Sequence, residues 1–275
     1  MNILLKFSEP SFVCACVIRL LCIALFLTAL EYVMIIRQFA DDGIYSWKMI
    51  KLRTARSIRK LSPDMLFNKS GVLTIMALRI CCSIYLFIDP ISSVTVYILA
   101  IVVATSLLLA VRNPIGGDGA DQMSAIISIA LLIAFIFHDP KITAVSLYFI
   151  AVQSIISYVI AGSAKMLSKK WRSGAAIFQI MNTESYGSER IALYLHRSSP
   201  VVSTMLSWNV MLVEGLFFTV VILPYPYCLI FFVWGLFFHA YNAVVMGLNN
   251  FFWVFLSTYP AIIYANIALH HYWGL

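Results

Sequence analysis

The sequence predicts an all-α fold, a polytopic bundle of about eight transmembrane helices that forms one domain over residues 1–275. Composition is the first reason: 62% of the residues are apolar, 11% are charged, and the mean hydropathy is +0.91. A soluble domain is nearer ~45–50% apolar and ~25% charged. Pattern is the second reason, because eight segments each approach the ~20 mainly apolar residues that span a bilayer. They are residues 12–36, 71–88, 91–111, 122–138, 142–164, 201–222, 227–248 and 250–270.

Proline-containing turns separate several of these segments. Asp89-Pro90, Asp139-Pro140 and Pro224-Tyr225-Pro226 are turn signals, because proline ends helices. The first segment is longer than the apolar core of a signal peptide, and no small-residue cleavage site follows it. We therefore expect it to be a retained membrane span.

The polar loops differ in charge on alternate sides of the predicted bundle. One side carries residues 37–70, 112–121, 165–200 and 248–250, and it holds most of the 19 lysines and arginines. The positive-inside rule makes that side cytoplasmic and puts both termini outside. This sorting accounts for the net charge of +7, and no basic run interleaved with aromatic residues indicates a nucleic-acid partner. The lipid bilayer is the partner that the composition predicts.

The first of these loops contains a basic stretch with two interpretations. In residues 48–66, apolar side chains alternate with six basic ones. This pattern is typical of a basic helix lying on lipid headgroups. A solvated positive connector explains the same residues.

The sequence predicts no metal site. All six cysteines fall in apolar segments and none forms a C-x-x-C pair, so we expect them to be small buried hydrophobic residues. Asp118 and Asp121 have no third ligand near them in sequence. Either aspartate is a good N-cap for the span at 122–138.

Four charged residues lie within predicted spans: Arg19, Glu31, Arg79 and Glu214. Charges at membrane depth are costly and are usually paired. Structural ion pairs between these cations and anions are the simplest interpretation. A proton path or a substrate site is the alternative.

The fifth predicted span ends in a lysine. Ser154, Tyr158, Ala161 and Lys165 follow one another at spacings of four, three and four, which places them on one helix face. Small residues beside Lys165 allow another helix to approach closely. A lysine amine at such a boundary is either a partly desolvated base or an ammonium that reaches the headgroups.

The seventh predicted span carries a second polar face. His239, Asn242, Met246 and Asn249 recur at i, i+3, i+7 and i+10. Polar residues on one face of a membrane helix are expected to point into the bundle or a wet cavity. We therefore take His239 as a catalytic candidate beside Lys165, and Asn242 and Asn249 as pocket candidates.

A family resemblance rests on five short pieces of the sequence. They are Arg112-Asn113-Pro114 with Gly119-Ala120-Asp121; Ala161-Gly162-Ser163-Ala164-Lys165-Met166-Leu167 with Trp171-x-x-Gly174; Glu214; Phe238-His239; and Met246-Gly247-Leu248-Asn249-Asn250-Phe251. In this order they resemble the transmembrane domain of the vitamin K-dependent gamma-carboxylases and their bacterial relatives, the HTTM superfamily. The resemblance covers residues 110–260.

The resemblance implies a chemistry. In the carboxylases the lysine of this motif is the base that deprotonates reduced vitamin K, and oxygen and carbon dioxide then convert protein glutamates to gamma-carboxyglutamates. Lys165 matches that lysine, so a reduced, vitamin K-like quinone is the implied cofactor. The carboxylases also carry a histidine in the loop at 112–121, where Asp121 is the nearest polar candidate here. Tyr158, Trp171 and Glu214 complete the predicted pocket.

Two functions fit these features best, and transport is a third class, which the lack of an inverted repeat or paired broken helices disfavours. The first is a multi-pass protein, in a bacterial cytoplasmic membrane, that modifies or helps to mature an exported peptide with Lys165 as base. Short bacterial members of the family are thought to assist such maturation. The second is a non-catalytic membrane scaffold, immunity protein or partner-binding subunit. A peptide substrate or a second protein subunit is the corresponding partner.

Overall fold

The computed structural model describes residues 3–52, 64–113 and 117–274. Its α-helices are numbered here in chain order. They are α1 Ile3–Lys6, α2 Pro10–Met34, α3 Trp47–Ile50, α4 Asp64–Phe67, α5 Lys69–Ile88, α6 Thr95–Arg112, α7 Gly119–Phe137, α8 Pro140–Leu167, α9 Lys169–Arg172, α10 Ala175–Met181, α11 Glu189–Arg197, α12 Pro200–Gly215, α13 Leu229–Met246 and α14 Asn249–Trp273.

The predicted all-α polytopic fold is confirmed. Seven helices are long and apolar enough to cross a membrane, namely α2, α5, α6, α7, α8, α13 and α14, and the described residues contain no strand. The chain is a multi-pass integral membrane protein in contact with the lipid bilayer. It divides into two compact units, one of Glu9–Ser146 and one of Met1–Ser8 with Leu147–Leu275. The single domain predicted for residues 1–275 stays a prediction.

The unit Glu9–Ser146 is built on the pairing of α2 with α5. Small and branched apolar side chains of both helices are fully buried, among them Val17, Ala29 and Val72. Such side chains allow the close van der Waals packing on which helix association in lipid depends. Asp118 caps α7 by accepting hydrogen bonds from the backbone N–H groups of Ala120 and Asp121, which confirms the predicted cap.

Loop residues in this unit gather around Arg112, at the end of α6. The guanidinium donates to the backbone carbonyls of Phe67, at 2.9 Å, and Tyr45. It also lies 5.1 Å from the centre of the Phe39 ring and 5.4 Å from that of Trp47. Residues 53–63 of the predicted basic helix lie outside the described residues.

The loop also holds a polar contact at its surface. The Trp47 indole N–H donates to the Asp64 carboxylate at 2.7 Å, and Lys51 forms an ion pair with it at 3.2 Å. The hydrogen bond from Trp47 and then the Lys51 ammonium hold the pKa of Asp64 below its ordinary value. This contact joins α3 to α4.

Intramembrane arginines in this unit bond to neutral oxygen atoms. Arg79 donates to the hydroxyls of Thr105 and Ser106 at 3.1 and 3.0 Å, and Arg19 donates to the carbonyl of Phe87 at 3.2 Å. Glu214 pairs with Lys165 instead of an intramembrane arginine. The predicted pairing is therefore wrong for Glu214, because the cation that reaches it is Lys165, which lies in the last turn of α8 and just beyond the predicted span at 142–164.

The unit of Met1–Ser8 and Leu147–Leu275 contains the predicted span that differs most from expectation. Residues 201–222 form α12 followed by a 3₁₀ helix, Phe217–Val221, instead of one long helix. Gly215 has a low helix propensity, and β-branched Thr219, Val220 and Val221 follow it. The Asn266 side chain donates to the carbonyls of Val220 and Leu223 at 2.9 and 2.8 Å. These bonds satisfy carbonyl groups that a continuous helix would have paired internally.

Candidate functional site

A cavity of about 490 Å³ lies within the unit of Leu147–Leu275. Helices α8, α12, α13 and α14 form its walls, with contributions from α9 and α10. Most of the lining is aliphatic or aromatic, as in other small-molecule sites. The polar lining residues are Ser157, Tyr158, Lys165, Asn209, Glu214, His239, Tyr241 and Asn242.

Lys165 and Glu214 form an ion pair on the cavity wall. The Lys165 side chain is 20% exposed and that of Glu214 is 4% exposed. The amine also lies 5.3 Å from the centre of the Trp171 ring, within the range of a cation–π contact. Lys165 therefore faces the cavity and its neighbours in the protein, as the base interpretation requires.

Two glycines bring the helices of this pair together. A Cβ on Gly162 of α8 would lie 2.4 Å from the backbone nitrogen of Gly215 in α12. Real Cβ atoms do not approach backbone so closely, so only glycine fits at this crossing. Lys165 follows Gly162 by one helical turn and Glu214 precedes Gly215, so the close crossing sets the two charged groups side by side.

His239 lies on the same cavity and is hydrogen-bonded to Tyr158. The Tyr158 hydroxyl and the His239 Nε2 atom are 2.7 Å apart. The imidazole stacks on Phe255 with ring centres 4.8 Å apart, and Tyr158 stacks on Phe217 at 3.9 Å. The Nδ1 atom of His239 is buried and has no hydrogen-bond partner among the described residues. A buried ring nitrogen without a partner is costly, and a bound molecule can supply the missing bond.

The structure brings together most of the predicted site residues. Lys165, His239, Tyr158, Trp171, Asn242 and Glu214 all line the cavity. Asn249, the first residue of α14, is not among the lining residues. Asp121 belongs to the other unit, where its carboxylate accepts a hydrogen bond from the backbone N–H of Asp118 in the cap of α7.

Asn209 is a lining residue that sequence reasoning missed. Its side-chain oxygen accepts a hydrogen bond from the Trp234 indole N–H at 2.9 Å. An amide five residues before Glu214 in an apolar segment was a signal that could have identified it. Met181 also lines the cavity, and its sulfur accepts a hydrogen bond from the Tyr241 hydroxyl at 3.8 Å. Nothing in the local pattern around Met181 indicates this role.

A short helical segment closes one part of the cavity. This segment, called the cap, comprises α9, α10 and α11, residues 169–197. Gly174 is in the left-handed conformation with φ 77°, and a Cβ there would lie 2.5 Å from the backbone nitrogen of Thr204. Thr204 in turn donates to the carbonyl of Ser173 at 3.1 Å. These contacts hold the cap against α12, so that Ile177, Ile180 and Met181 reach the cavity.

The arrangement can bind an amphiphilic molecule and exchange a proton with it. Lys165 Nζ and Glu214 offer one site for a proton, and the His239–Tyr158 pair offers another. The aromatic walls can accept an apolar body. No group of three or more histidine, cysteine, aspartate or glutamate residues suited to a metal ion occurs in the part of the chain that the structure describes.

Comparison with protein-family models, curated proteins and solved structures found no match to this chain. The HTTM resemblance therefore stays a prediction.

Proposed function

We propose that this chain is a membrane enzyme, or the membrane component of one, that binds a lipid-soluble molecule in the Lys165 cavity and uses Lys165 as a base. In keeping with the HTTM resemblance, its role would be to modify or help to mature an exported peptide. One observation carries the proposal: Lys165 and His239 line one apolar cavity within a membrane protein.

A reduced quinone fits the residues of this cavity. Its ring can lie among the aromatic side chains, and one of its hydroxyl groups can bond to Lys165 Nζ on the cavity wall. Bound there, a reduced quinone would supply an acidic hydroxyl and a source of two electrons. The charges of Lys165 and Glu214 balance, which favours a neutral headgroup.

The protein groups have distinct tasks in this proposal. The Lys165 ammonium of the ion pair would first release a proton to water, and the neutral amine would then take the hydroxyl proton, so that an O–H bond breaks and an N–H bond forms. The carboxylate of Glu214 would stabilise the resulting ammonium. His239 would orient the bound molecule, because Tyr158 fixes its ring through Nε2.

A non-catalytic role is the second candidate, and the same ion pair favours it. Lys165 and Glu214 already satisfy each other within one unit, so their presence does not require a substrate. The chain would then be a membrane scaffold, an immunity protein or a subunit that binds a peptide or second protein.

Substitutions of Lys165 test the catalytic proposal. The full chain in lipid nanodiscs is mixed with reduced vitamin K in a buffer that contains dissolved oxygen and bicarbonate. Tryptophan quenching reports binding, and loss of the reduced form above the protein-free rate reports turnover. We expect Lys165→Met and Lys165→Arg to bind reduced vitamin K but to lose turnover by about 10²-fold or more. Methionine cannot accept a proton, and arginine is already protonated. Lys141→Met and Lys141→Arg, near the other end of α8, are matched controls.

A double variant separates chemistry from folding. Removing one partner of a buried ion pair costs about 3–5 kcal/mol, whereas replacing both with apolar residues is often neutral. Lys165→Met combined with Glu214→Met should therefore recover the thermal stability lost in Lys165→Met, without recovering turnover. Normal turnover in either Lys165 variant would exclude a lysine base. A wild-type protein that neither binds nor consumes reduced vitamin K would exclude the quinone.

A stable partner would distinguish the second candidate. If the tagged full chain retains a protein or peptide through purification, and both Lys165 variants retain it equally, the ion pair is structural and the scaffold role is favoured. Loss of that partner in Lys165→Met but not in the double variant would indicate a folding effect.

A further inference from the structure

The cap carries a set of exposed cations. Two glutamates also lie in this segment, Glu184 and Glu189, and both are exposed. The structure shows ion pairs for Lys48, Lys51 and Lys165, but for none of the cap cations within its described residues. These exposed cap cations are Lys169, Lys170, Arg172, Arg190 and Arg197.

Helix α11 of the cap has one buried face and one exposed face. Ala192 and Leu195 are buried and pack against neighbours that include Met181. Arg190, Leu193, Tyr194 and Arg197 follow at i, i+3, i+4 and i+7, so they share one face, and all four are exposed. Leu193 is 48% exposed and Tyr194 is 63% exposed. Cations beside exposed apolar and aromatic side chains are typical of a helix lying at a membrane surface.

The position of the cap in the chain agrees with this composition. It begins two residues after the end of α8, a helix apolar enough to cross the membrane, at Leu167, whose side chain is 83% exposed. The mainly apolar helix α12 begins three residues after it, at Pro200. The cap therefore lies at the level where membrane helices end, which is the level of the lipid headgroups.

We propose that the outer surface of the cap binds the headgroups of anionic phospholipids. Arginine and lysine side chains would contact the lipid phosphates, while Leu193 and Tyr194 would insert among the glycerol and upper acyl groups. This site is distinct from the Lys165 cavity and does not depend on what that cavity binds.

Lipid bound at this surface would also act on the cavity. The inner side chains of the cap, including Ile177 and Met181, line that cavity. A phospholipid that holds α11 at the membrane surface would therefore stabilise the packing of the cap beside that cavity.

Lipid titration of the full chain tests the proposal. The protein is placed in phosphatidylcholine nanodiscs and in discs that also contain phosphatidylglycerol, and retained lipid is counted by native mass spectrometry. We expect selective retention of phosphatidylglycerol, which Arg190→Gln with Arg197→Gln weakens by about fivefold per cation removed. Lys69→Gln with Lys141→Gln removes two exposed cations elsewhere and should leave retention unchanged.

Two further variants keep the result interpretable. Arg190→Lys with Arg197→Lys keeps both charges and should retain most of the selectivity, even if the glutamine variant folds poorly. Lys165→Met combined with Glu214→Met should keep full selectivity, because it alters the cavity without leaving an unpaired buried charge and leaves the outer surface intact. Equal retention of the two lipids by the wild type, or equal loss in the Lys69 and Lys141 control, would overturn the proposal.

Discussion

Arg112 joins three separate segments of the chain through one guanidinium. It is fully buried, donates to the carbonyls of Tyr45 and Phe67, and faces the rings of Phe39 and Trp47. It forms no ion pair among residues 3–52, 64–113 and 117–274. A planar, delocalised cation suits such a site, because it presents several donors at fixed angles and stacks on aromatic faces.

Replacing this guanidinium with an ammonium should loosen the loop. The Arg112→Lys variant keeps the positive charge, but its ammonium cannot reach both carbonyls and both rings at once. We expect the free energy of unfolding to fall by about 1.5–3 kcal/mol, the effect of one lost charged hydrogen bond in a buried site. Thermal unfolding in micelles measures it, with exposed Arg37→Lys as the control. Equal stability of the two variants would contradict the proposed role of Arg112.

Gly162 is the residue on which the candidate site depends most. Its hydrogen faces the backbone of Gly215, where a methyl group has no room. We expect Gly162→Ala to push α8 away from α12, to separate Lys165 from Glu214, and to lower the unfolding temperature. Gly117→Ala is the matched control, because a Cβ there meets nothing within 4 Å. If Gly162→Ala keeps the stability and cavity binding of the wild type, the close crossing is not what positions the pair.

At the scale of elements, a side chain of α14 compensates for the interruption of the helix after α12. A helix of 16 residues gives way to a 3₁₀ helix, and Asn266 of α14 donates to two of the carbonyls that follow. Irregular backbone at membrane depth persists where protein groups replace the missing hydrogen bonds. The Asn266 side chain of α14 therefore stabilises the interrupted backbone that follows α12.

Asn266→Leu tests this dependence. Leucine fills a similar volume but leaves the carbonyls of Val220 and Leu223 without their donor. We expect a loss of about 1–3 kcal/mol in the free energy of unfolding, together with faster amide exchange in the 3₁₀ helix Phe217–Val221. Asn182→Leu removes only a solvent-exposed hydrogen bond to the carbonyl of Phe178, so it should cost less stability and leave exchange in the 3₁₀ helix unchanged. Unchanged exchange in Asn266→Leu would show that the interrupted backbone holds without the asparagine.

At the scale of the whole molecule, the sequence was sufficient for the membrane fold and for much of the site. Apolar run lengths predicted the long helices because a bilayer demands that length of any span. Helical spacing placed Tyr158 with Lys165, and His239 with Asn242, because side chains three, four or seven apart share a face. Those residues now line one cavity.

Helical spacing could not predict contacts between segments that are distant in sequence. Glu214 and Lys165 are 49 residues apart, and only the crossing at Gly162 brings them together. Asn249 extends the polar face by one more turn, but it begins a new helix after a break at Gly247, where φ is 72°. The motif made Asp121 a candidate pocket residue, whereas its side chain forms part of the capping box at the N-terminus of α7.

The pairing of Lys165 with Glu214 has an electrical consequence. A transmembrane voltage exerts opposite forces on an ammonium and a carboxylate that touch, so the pair behaves as a small dipole with almost no net gating charge. Occupancy of the neighbouring cavity by a neutral lipid should then be the same in polarised and depolarised proteoliposomes.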